Sequence, residues 1–435
     1  MQDVGDGKVI ENGAVLVRGG KIAEVYEGPG PDPKSVKAEA VEAAGKTILP
    51  GLIDVHVHLG APGGIYTDMK DYNAGKALLH NLAAYLYSGV TTVRSVGDPL
   101  DSVLKARSTV NTGQMLGAEL FTCGPLFTAP GGHGTEYFKN LPPPIRDTLN
   151  QQFLRLPATP EQARQQVDDL QKQGVDCIKT ILESGGGGRL YNRMDTGLFD
   201  AVAAEAHVDN LPLVVHTGDA RDVADAVQAR AASIEHGSFR EAIPDALFAQ
   251  MAAQGTAYDP TLSVGEAFQE IVAGNTDLLK RSLVQQVAPP GLIQQTMDAL
   301  SSKEGESIRS GMAKYPIDMQ IAGDNLKRAY QHGVLLVTGS DAGNLLVIHG
   351  PTVQHELALW VKDGIPNAVA LQAATFNAAK LLRAEDHMGS IRPGNDADLL
   401  IVDGNPLDDI SATERISMVV FKGERIDRTS LFDQQ

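Results

Sequence analysis

Residues of the types that bind divalent metal ions recur along this sequence, each close to the end of an apolar run. The clearest case is His56-Val57-His58, which follows the largely apolar segment 48–55. Because side chains alternate along a β-strand, His56 and His58 point the same way, and both imidazoles can reach one ion. Two histidines at this spacing are also compatible with a hydrogen-bonded pair in the core, so the pair indicates a metal site only together with other ligands.

Three further candidates stand alone at the ends of other apolar runs. His216 and His236 each end a short run, and Asp341 follows the apolar run 334–340. A buried carboxylate without a partner is costly, which favours a function for Asp341. Any one of these residues could be structural, but their repeated position at successive run ends favours one shared metal site.

Lys179 lies inside another predicted strand, in Cys177-Ile178-Lys179-Thr180. A lysine in a buried strand is costly unless it is neutralised or paired, although a lysine near a strand end can extend its amine to solvent. The functional interpretation is that CO2 converts the amine into a carbamate, whose two oxygens can bridge two cations. Strand alternation points Asp54 and Glu235 away from the neighbouring histidines, so we leave both outside the site.

The elements that must position these residues alternate between strand and helix, which predicts a parallel sheet in an α/β fold. Eight candidate strands, each followed by a helical pattern, cover residues 52–59, 91–96, 119–124, 177–182, 213–216, 233–236, 256–262 and 334–340. Eight strands favour a closed (β/α)8 barrel of the TIM type, in which residues at the carboxyl ends of the strands face the active site. No G-x-G-x-x-G follows the first strand, so a dinucleotide-binding sheet has little support.

Both chain ends carry a different pattern, made of short strands and turns. Asn12-Gly13 and Gly19-Gly20 separate alternating apolar residues near the start, which is typical of hairpins. Residues 397–424 return to this pattern. The predicted division of the chain is a small β-sandwich domain formed by residues 1–50 and 386–435, and a metal-dependent barrel over residues 51–385 with a pocket-shaping insertion at about 266–332.

Composition narrows the class of protein. The 435 residues are 43% hydrophobic and 21% charged, as in a soluble globular protein. The formal net charge of −17 disfavours nucleic acid as a partner, because an acidic surface repels phosphates. Cys123 and Cys177 cannot make a disulfide framework, so a packed core must stabilise the fold.

The sequence also limits the expected surroundings of the protein. No apolar run is long enough for a transmembrane helix, so no membrane partner is expected. The first residues are acidic and lack the apolar stretch of a signal peptide, and the compartment stays open. We expect a small-molecule or dipeptide-like substrate, and a homo-oligomer, which is common for this architecture.

Taken together, the motifs resemble the amidohydrolase superfamily, and within it the branch of imidazolonepropionase and the Xaa-Pro dipeptidases. The resemblance runs nearly from end to end, and it is specific for the superfamily rather than for a substrate. It is carried by Pro50-Gly51-Leu52-Ile53-Asp54-Val55-His56-Val57-His58, Gly89-Val90-Thr91-Thr92-Val93-Arg94, Pro130-Gly131-Gly132-His133-Gly134, Lys179, His216, Ile234-Glu235-His236-Gly237, Ser340-Asp341-Ala342-Gly343 and Gly394-Asn395-Asp396-Ala397-Asp398-Leu399.

This resemblance implies a centre of two divalent metal ions, with zinc as the first expectation. It divides the ligands into His56, His58 and Asp341 for the more buried ion, His216 and His236 for the more exposed ion, and Lys179, as N6-carboxylysine, for the bridge between them. A hydroxide would share the bridging position.

The reaction implied is hydrolysis of an amide or peptide bond, in a dipeptide or N-acyl amino acid, by attack of the metal-bridging hydroxide. Asp341 would take the proton and pass it to the leaving amine. His133 matches a loop histidine that polarises the scissile carbonyl or holds the substrate in the dipeptidase-like relatives. A substrate carboxylate would need a cation, and the candidates are Arg94, Arg189 and Arg193.

Two other interpretations stay open. The first is a one-metal deaminase, or a hydrolase that opens a cyclic amide or imidazolone ring. Lys179 counts against it, because one-metal members need no bridging lysine, and Asp219 stands near the place where these deaminases carry a glutamate. The second is an assembly scaffold without activity, which the complete set of ligands disfavours.

Overall fold

The computed structural model describes residues 2–3, 8–67, 73–139 and 141–433. The strands are β1 (Gln2–Asp3), β2 (Lys8–Val9), β3 (Ala14–Arg18), β4 (Lys21–Tyr26), β5 (Lys46–Pro50), β6 (Leu52–Val57), β7 (Val90–Ser95), β8 (Glu119–Thr122), β9 (Leu126–Phe127), β10 (Leu154–Arg155), β11 (Ile178–Ile181), β12 (Gly185–Gly186), β13 (Arg189–Leu190), β14 (Leu213–His216), β15 (Ser233–Glu235), β16 (Ala257–Asp259), β17 (Leu335–Leu336), β18 (Leu399–Asp403), β19 (Ile416–Phe421) and β20 (Glu424–Arg425).

The helices are α1 (Ala74–Tyr87), α2 (Leu100–Asn111), α3 (Pro143–Phe153), α4 (Pro160–Lys172), α5 (Thr196–Val208), α6 (Ala220–Gln228), α7 (Asp245–Gln254), α8 (Leu262–Ala273), α9 (Ser282–Val287), α10 (Leu292–Ser301), α11 (Lys303–Met312), α12 (Met319–Gln331), α13 (Thr352–Lys362), α14 (Asn367–Ala373) and α15 (Phe376–Leu381). In the described part of the chain, none of them combines the length and the apolar character that a bilayer crossing requires.

The strands in the middle of the chain pair in parallel, as their alternation with helices predicts. β6, β7 and β8 form a three-stranded sheet, and β10, β9, β11, β14, β15, β16 and β17 form a seven-stranded sheet in that order. Each of the eight predicted strands overlaps an observed one, and a helix follows each of them before the next. This mixed α/β architecture agrees with a TIM-barrel-like fold and brings the carboxyl ends of the parallel strands to one side.

Some predicted bounds were wrong, for local reasons. The strand predicted over 256–262 covers only Ala257–Asp259, because Pro260 has no N–H to donate and α8 begins at Leu262. The strand predicted over 334–340 pairs with β16 only at Leu335–Leu336. β9 and β10 were not predicted, since two residues carry no measurable alternation.

The segment that follows β17 runs alongside β6. The amide of Asp341 donates to the carbonyl of His56 at 2.9 Å, and the amide of His58 donates to the carbonyl of Ala342 at 2.8 Å. These bonds connect the last strand of the seven-stranded sheet to the first strand of the three-stranded sheet. They also fix Asp341 beside both histidines through the backbone.

A disulfide joins Cys123, just after β8, to Cys177, just before β11, across 54 residues of sequence. Both residues are buried in a small cluster with Val96 and Val214. This disulfide was not predicted, because two cysteines 54 residues apart are brought together only when the sheets form.

Strands from both chain ends share one apolar core. β5 pairs antiparallel with β18 in the four-stranded sheet β20-β19-β18-β5. The β3–β4 hairpin turns at Gly19-Gly20, as predicted, and the amide of Ile22 on β4 donates to the carbonyl of Asn395 at 2.8 Å. Ile22 is buried there against Leu399 and Val420. The two termini are therefore held together beside the parallel sheets.

Residues 266–332 are mostly helical and contain the end of α8 and the whole of α9 to α12. Their apolar side chains, among them Leu279, Val284, Leu292 and Leu326, are buried in the same core as the parallel sheets. The segment therefore forms a packed helical layer.

Candidate metal centre

Three of the predicted ligands meet at the carboxyl ends of the strands. His56 lies on β6, His236 directly follows β15 and Asp341 follows β17. Ligand atoms of these three residues lie within 4.8 Å of one another, and all three side chains are buried. His58 joins them, with Nε2 at 3.2 Å from Oδ1 of Asp341. Three segments that are far apart in sequence thus supply one group of metal-ligand atoms.

The protonation of both β6 histidines follows from their outer contacts. Nδ1 of His56 donates to Oε2 of Glu235 at 2.6 Å, and Nδ1 of His58 donates to the carbonyl of Gly97 at 2.9 Å. Because both partners only accept, each ring carries its proton on Nδ1 and presents the lone pair of Nε2 inward. The two Nε2 atoms lie 3.5 and 3.2 Å from Oδ1 of Asp341.

Three acceptor atoms therefore face one another with no proton between them, which requires a positive charge at that point. The pKa of His58 agrees with this. Burial disfavours its charged form, but the Asp341 carboxylate outweighs burial and raises the pKa of the ring. A divalent cation supplies the same charge without a proton, so His56, His58 and Asp341 fit a metal ion.

Lys179 is buried on β11, and within the described residues its Nζ has no hydrogen-bond partner. Burial lowers the pKa of this amine to about 8. A neutral amine is the form that reacts with CO2, and a buried amine without a partner is costly. The position therefore fits a carbamate that would take part in binding cations.

His216, the last of the predicted histidine ligands, lies close to His236. The rings of His216 and His236 have centroids 4.3 Å apart. Nδ1 of His236 is hydrogen-bonded to the Thr261 hydroxyl at 2.6 Å, and Nε2 of His216 donates to Oε2 of Glu183 at 3.0 Å. The ligand atoms of His216 group with Glu183 and His133, and not with the buried group around Asp341. The structure thus groups His236 with His56 and Asp341 rather than with His216, its predicted partner at the outer ion.

Two of these ligands adopt the left-handed backbone region that side chains rarely occupy. The φ angle is +68° at His236 and +55° at Asp341. Such angles cost of order 1–3 kcal/mol and persist only where surrounding contacts impose them, which is common at functional sites. At His236 the angle also breaks the alternation of the strand, so that Glu235 and His236 both face the centre.

The exclusion of Glu235 from the site was therefore wrong. Its carboxylate contacts Nδ1 of His56, and its other oxygen lies 3.3 Å from the guanidinium of Arg94. Asp259, at the end of β16, lies 3.3 Å from the same Nδ1. Alternation along one strand could not show these contacts, because they are made across the sheet between different strands.

The pocket above the centre has a polar wall and an apolar wall. His58, Lys179, His216, His236 and Asp341 form its floor. The polar wall consists of His133, Tyr137, Glu183, Arg189, Tyr191 and Tyr315. The apolar wall includes Phe239, Val264, Phe268 and Ile317, the last two from the helical segment 266–332. A substrate bound here would meet the metal ligands, a cation and an apolar surface.

His133 lies in this pocket. Its ring centroid is 5.1 Å from that of His216. Nδ1 donates to Glu136 at 3.0 Å, and the Tyr137 hydroxyl donates to Nε2 at 3.0 Å. The ring is thus hydrogen-bonded at both nitrogens, close to His216.

Of the three arginines proposed to bind a carboxylate, only Arg189 lines the pocket. Arg94 is buried beneath the centre, where Nε donates to the carbonyl of Val55 at 2.7 Å. Arg193 is tied to Asp222 and Asp225 at 2.7 and 2.6 Å. The assignments of Arg94 and Arg193 were therefore wrong, since both guanidiniums are engaged by internal partners.

Glu183 and Thr261 were not predicted to belong to the site. Glu183 directly follows the apolar run 177–182, which is the same signal that identified Asp341, so the sequence could have indicated it. Thr261 carried no such signal, because a threonine after a strand is ordinary.

The arrangement can now be compared with known proteins. Residues 47–426 match the model of the amidohydrolase family. The chain therefore belongs to the amidohydrolase family, and the predicted superfamily is confirmed.

Individual relatives agree with this. The ochratoxinase of Aspergillus niger is 24% identical over 97% of this chain and 84% of its own length. The solved structure of a Xaa-Pro dipeptidase with methionine bound in its active site is 26% identical, with a TM-score of 0.71, covering 95% of this chain and 94% of the other. Molinate hydrolase, at 21% identity and a TM-score of 0.77 over 99% of this chain and 93% of its own, shares the fold. The chain is a hydrolase acting on carbon–nitrogen bonds, in a superfamily of metal-dependent enzymes.

Proposed function

We propose that this protein is a two-metal hydrolase that cleaves the amide or peptide bond of a dipeptide or an N-acyl amino acid. The observation that carries the proposal is the buried amine of Lys179, which lines the pocket with no hydrogen-bond partner among the described residues. A one-metal enzyme has no use for a carbamate at this position, whereas a two-metal centre needs a bridging anion.

The ligands are assigned as His56, His58 and Asp341 for the inner ion, His216 and His236 for the outer ion, and carboxylated Lys179 for the bridge. Imidazole and carboxylate ligands suit zinc, and manganese or cobalt would also bind. When bound, such ions act as Lewis acids and lower the pKa of water so that hydroxide is supplied at neutral pH.

The chain's own residues would then orient the substrate and move a proton. Asp341 accepts the proton of the attacking water and delivers it to the leaving amine. Glu136 accepts from Nδ1 of His133, so that Nε2 faces the pocket, where a scissile carbonyl would replace the Tyr137 hydroxyl as its partner and Nε2 would carry the proton. The Tyr137 hydroxyl, released from Nε2, would donate to the same carbonyl.

Arg189 is the cation we assign to the substrate carboxylate. Its NH2 lies 3.3 Å from Glu136, and its guanidinium lies over the Tyr191 ring, 5.5 Å from the centroid. This leaves the rest of the planar group available for a carboxylate in the pocket. The apolar wall, which contains Phe239 and Phe268, would contact an apolar side chain or acyl group of the substrate.

Closure of the barrel and the division into two domains are part of the same proposal. We infer a closed (β/α)8 barrel over residues 51–385 and a small β-sandwich domain from residues 1–50 and 386–435. The bonds between His56, His58 and the segment after β17 support closure on one side. The disulfide between Cys123 and Cys177 bridges the other gap, between β8 and β11.

The alternative is a one-metal deaminase or a hydrolase that opens a cyclic amide or imidazolone ring. A deaminase would need an acidic proton shuttle after His216. Asp219 instead accepts the amide of Asp222 at 3.0 Å and caps α6, outside the residues that line the pocket. The structure therefore gives this alternative less support than the two-metal hydrolase.

The first experiment is to count divalent metal ions per chain, by elemental analysis of protein purified without chelator in bicarbonate buffer. We expect about two ions per chain, together with hydrolysis of members of a panel of dipeptides and N-acyl amino acids. One ion or fewer, not restored by added zinc and bicarbonate, would remove Lys179 as a bridge and favour the one-metal alternative.

A further inference from the structure

Glu183 connects a metal-binding histidine to the helical segment beside the pocket. It follows β11, and only 3% of it is exposed. Its Oε2 accepts from Nε2 of His216 at 3.0 Å, and its Oε1 accepts from the hydroxyl of Tyr315. Both are contacts between side chains far apart in sequence, so both depend on the tertiary structure.

Tyr315 lies on the loop between α11 and α12, residues 313–318, which we call the pocket loop. The carbonyl of Lys314 accepts from the amide of Gly188 at 2.9 Å, and the amide of Asp318 donates to the carbonyl of Phe239 at 2.8 Å. These bonds attach the pocket loop to the loops that follow β12 and β15, and they aim the Tyr315 hydroxyl at Glu183.

His133, Glu183 and His216 offer ligand atoms within 4.8 Å of one another, which raises the question of a further cation site. Their contacts argue against one. Both oxygens of Glu183 already accept protons, and both nitrogens of His133 are hydrogen-bonded. No lone pairs face one another without a proton, as they do around Asp341. The cluster is therefore a hydrogen-bond network.

We propose, building on the two-metal function above, that Glu183 is a positioning residue that fixes His216 for metal binding and couples it to the pocket loop through Tyr315. A carboxylate that accepts from Nε2 keeps the proton there, so Nδ1 of His216 is left for the outer ion. The carboxylate that orients His216 also holds Tyr315. Metal binding and packing of the pocket loop therefore favour each other, and the coupling is reciprocal.

The first test measures zinc affinity by competition with a chelator, in bicarbonate buffer. In Glu183→Leu, which has no acceptor, one of the two ions binds about 10–100-fold more weakly than in the wild type. Glu183→Gln, whose amide can still accept from His216, falls between the two. The matched control is Glu306→Gln, on the exposed surface of α11, which binds both ions as the wild type does. Wild-type affinity for both ions in Glu183→Leu would overturn the positioning role.

The second test follows hydrogen exchange in peptides that cover the pocket loop, with and without zinc. Zinc slows exchange there in the wild type and in the control Tyr330→Phe, whose ring lies on the exposed side of α12. In Tyr315→Phe zinc still binds, but its effect on exchange in the loop is lost. Equal protection by zinc in Tyr315→Phe and the wild type would overturn the coupling. If Glu183→Leu does not fold, zinc affinity in Glu183→Gln tests the positioning role and hydrogen exchange in Tyr315→Phe tests the coupling.

The two proposals fail in different ways. Fewer than two ions in the wild-type protein, with zinc and bicarbonate in excess, contradicts the proposed function. Two ions in the wild type, with unchanged affinity in Glu183→Leu, contradicts only the role of Glu183.

Discussion

Nδ1 of His56 lies 2.6 Å from Oε2 of Glu235, and both side chains are fully buried. The other oxygen of Glu235 lies 3.3 Å from the guanidinium of Arg94. Burial opposes ionisation of Glu235, but the charge of Arg94 and the hydrogen bond from His56 act against burial, and the pKa of the carboxyl lies well below its usual range. A buried ion pair between Arg94 and Glu235 therefore orients His56, a proposed metal ligand.

Glu235→Gln is expected to lower the free energy of unfolding by about 3–5 kcal/mol, because it leaves the buried charge of Arg94 uncompensated. Urea unfolding of the metal-free protein measures this. Glu424→Gln, at an exposed position on β20, serves as the control and stays within about 0.5 kcal/mol of the wild type. A Glu235→Gln protein as stable as the wild type would show that Arg94 does not depend on this carboxylate.

Lys179→Met is expected to abolish binding of one metal ion and to reduce turnover by about two orders of magnitude or more, because the bridging anion is lost. The metal-free variant should nevertheless be at least as stable as the wild type, since methionine replaces a buried amine that has no hydrogen-bond partner among the described residues. Elemental analysis and urea unfolding test the two parts.

Lys172→Met, at an exposed position on α4, is the matched control for this substitution. A metal-free Lys179→Met protein that unfolds more readily than the wild type would mean that the amine has a stabilising partner. The carbamate hypothesis would then lose its structural basis.

Asp341→Asn is expected to reduce kcat by about 100- to 10,000-fold, because the amide cannot accept the proton of the attacking water. The fold should persist, since asparagine tolerates the left-handed backbone that Asp341 adopts at φ +55°. Circular dichroism and steady-state kinetics test this, with the exposed Asp277→Asn as control. Activity close to that of the wild type would exclude Asp341 from proton transfer.

Arg189→Met is expected to lower kcat/KM about 10- to 100-fold for a substrate with a free carboxylate, because a charge-assisted pair worth about 1.5–3 kcal/mol is lost. The same substrate with an amidated end should be cleaved equally by both proteins. Arg146→Met, at a partly exposed position on α3, controls for the loss of a positive charge. An equal effect on both substrates would remove Arg189 from carboxylate recognition.

Glu136 predicts a pH dependence of stability. Burial opposes its ionisation, but the hydrogen bond from His133, the charge of His133 and further hydrogen bonds together outweigh burial and lower the pKa of Glu136 from 4.5 to about 2. Because the folded-state pKa is lowered, its contribution to stability is complete above pH 4.5 and is lost as the pH falls towards 2.

The free energy of unfolding of Glu136→Gln should therefore lie below that of the wild type at neutral pH. The difference should shrink on acidification below pH 4.5. Urea unfolding at several pH values on both sides of that point measures it, with Glu304→Gln, at an exposed position on α11, as the control for loss of a carboxylate. A constant difference for Glu136→Gln would mean that its carboxyl titrates normally in the folded protein.

The sequence by itself determined the residue types of the centre and the order of the strands that carry them. His56, His58, Lys179, His216 and Asp341 could each be recognised because an unusual polar residue ended or interrupted an apolar run. The predicted strand bounds were too long where Pro260 ends a strand and where only two residues pair. Such local effects leave a weaker signal in the sequence than the alternation of strand and helix does.

Only the tertiary structure decided which groups surround those residues. Contacts such as Glu235 with His56, Glu183 with Tyr315, and Cys123 with Cys177 join segments separated by 54 to 179 residues. The sequence made Arg94 a candidate for substrate binding, but in the structure Arg94 is buried beneath the centre. The physical reason is that periodicity along a chain fixes the direction of a side chain relative to its own strand, whereas its partners depend on how the separate strands are placed in space.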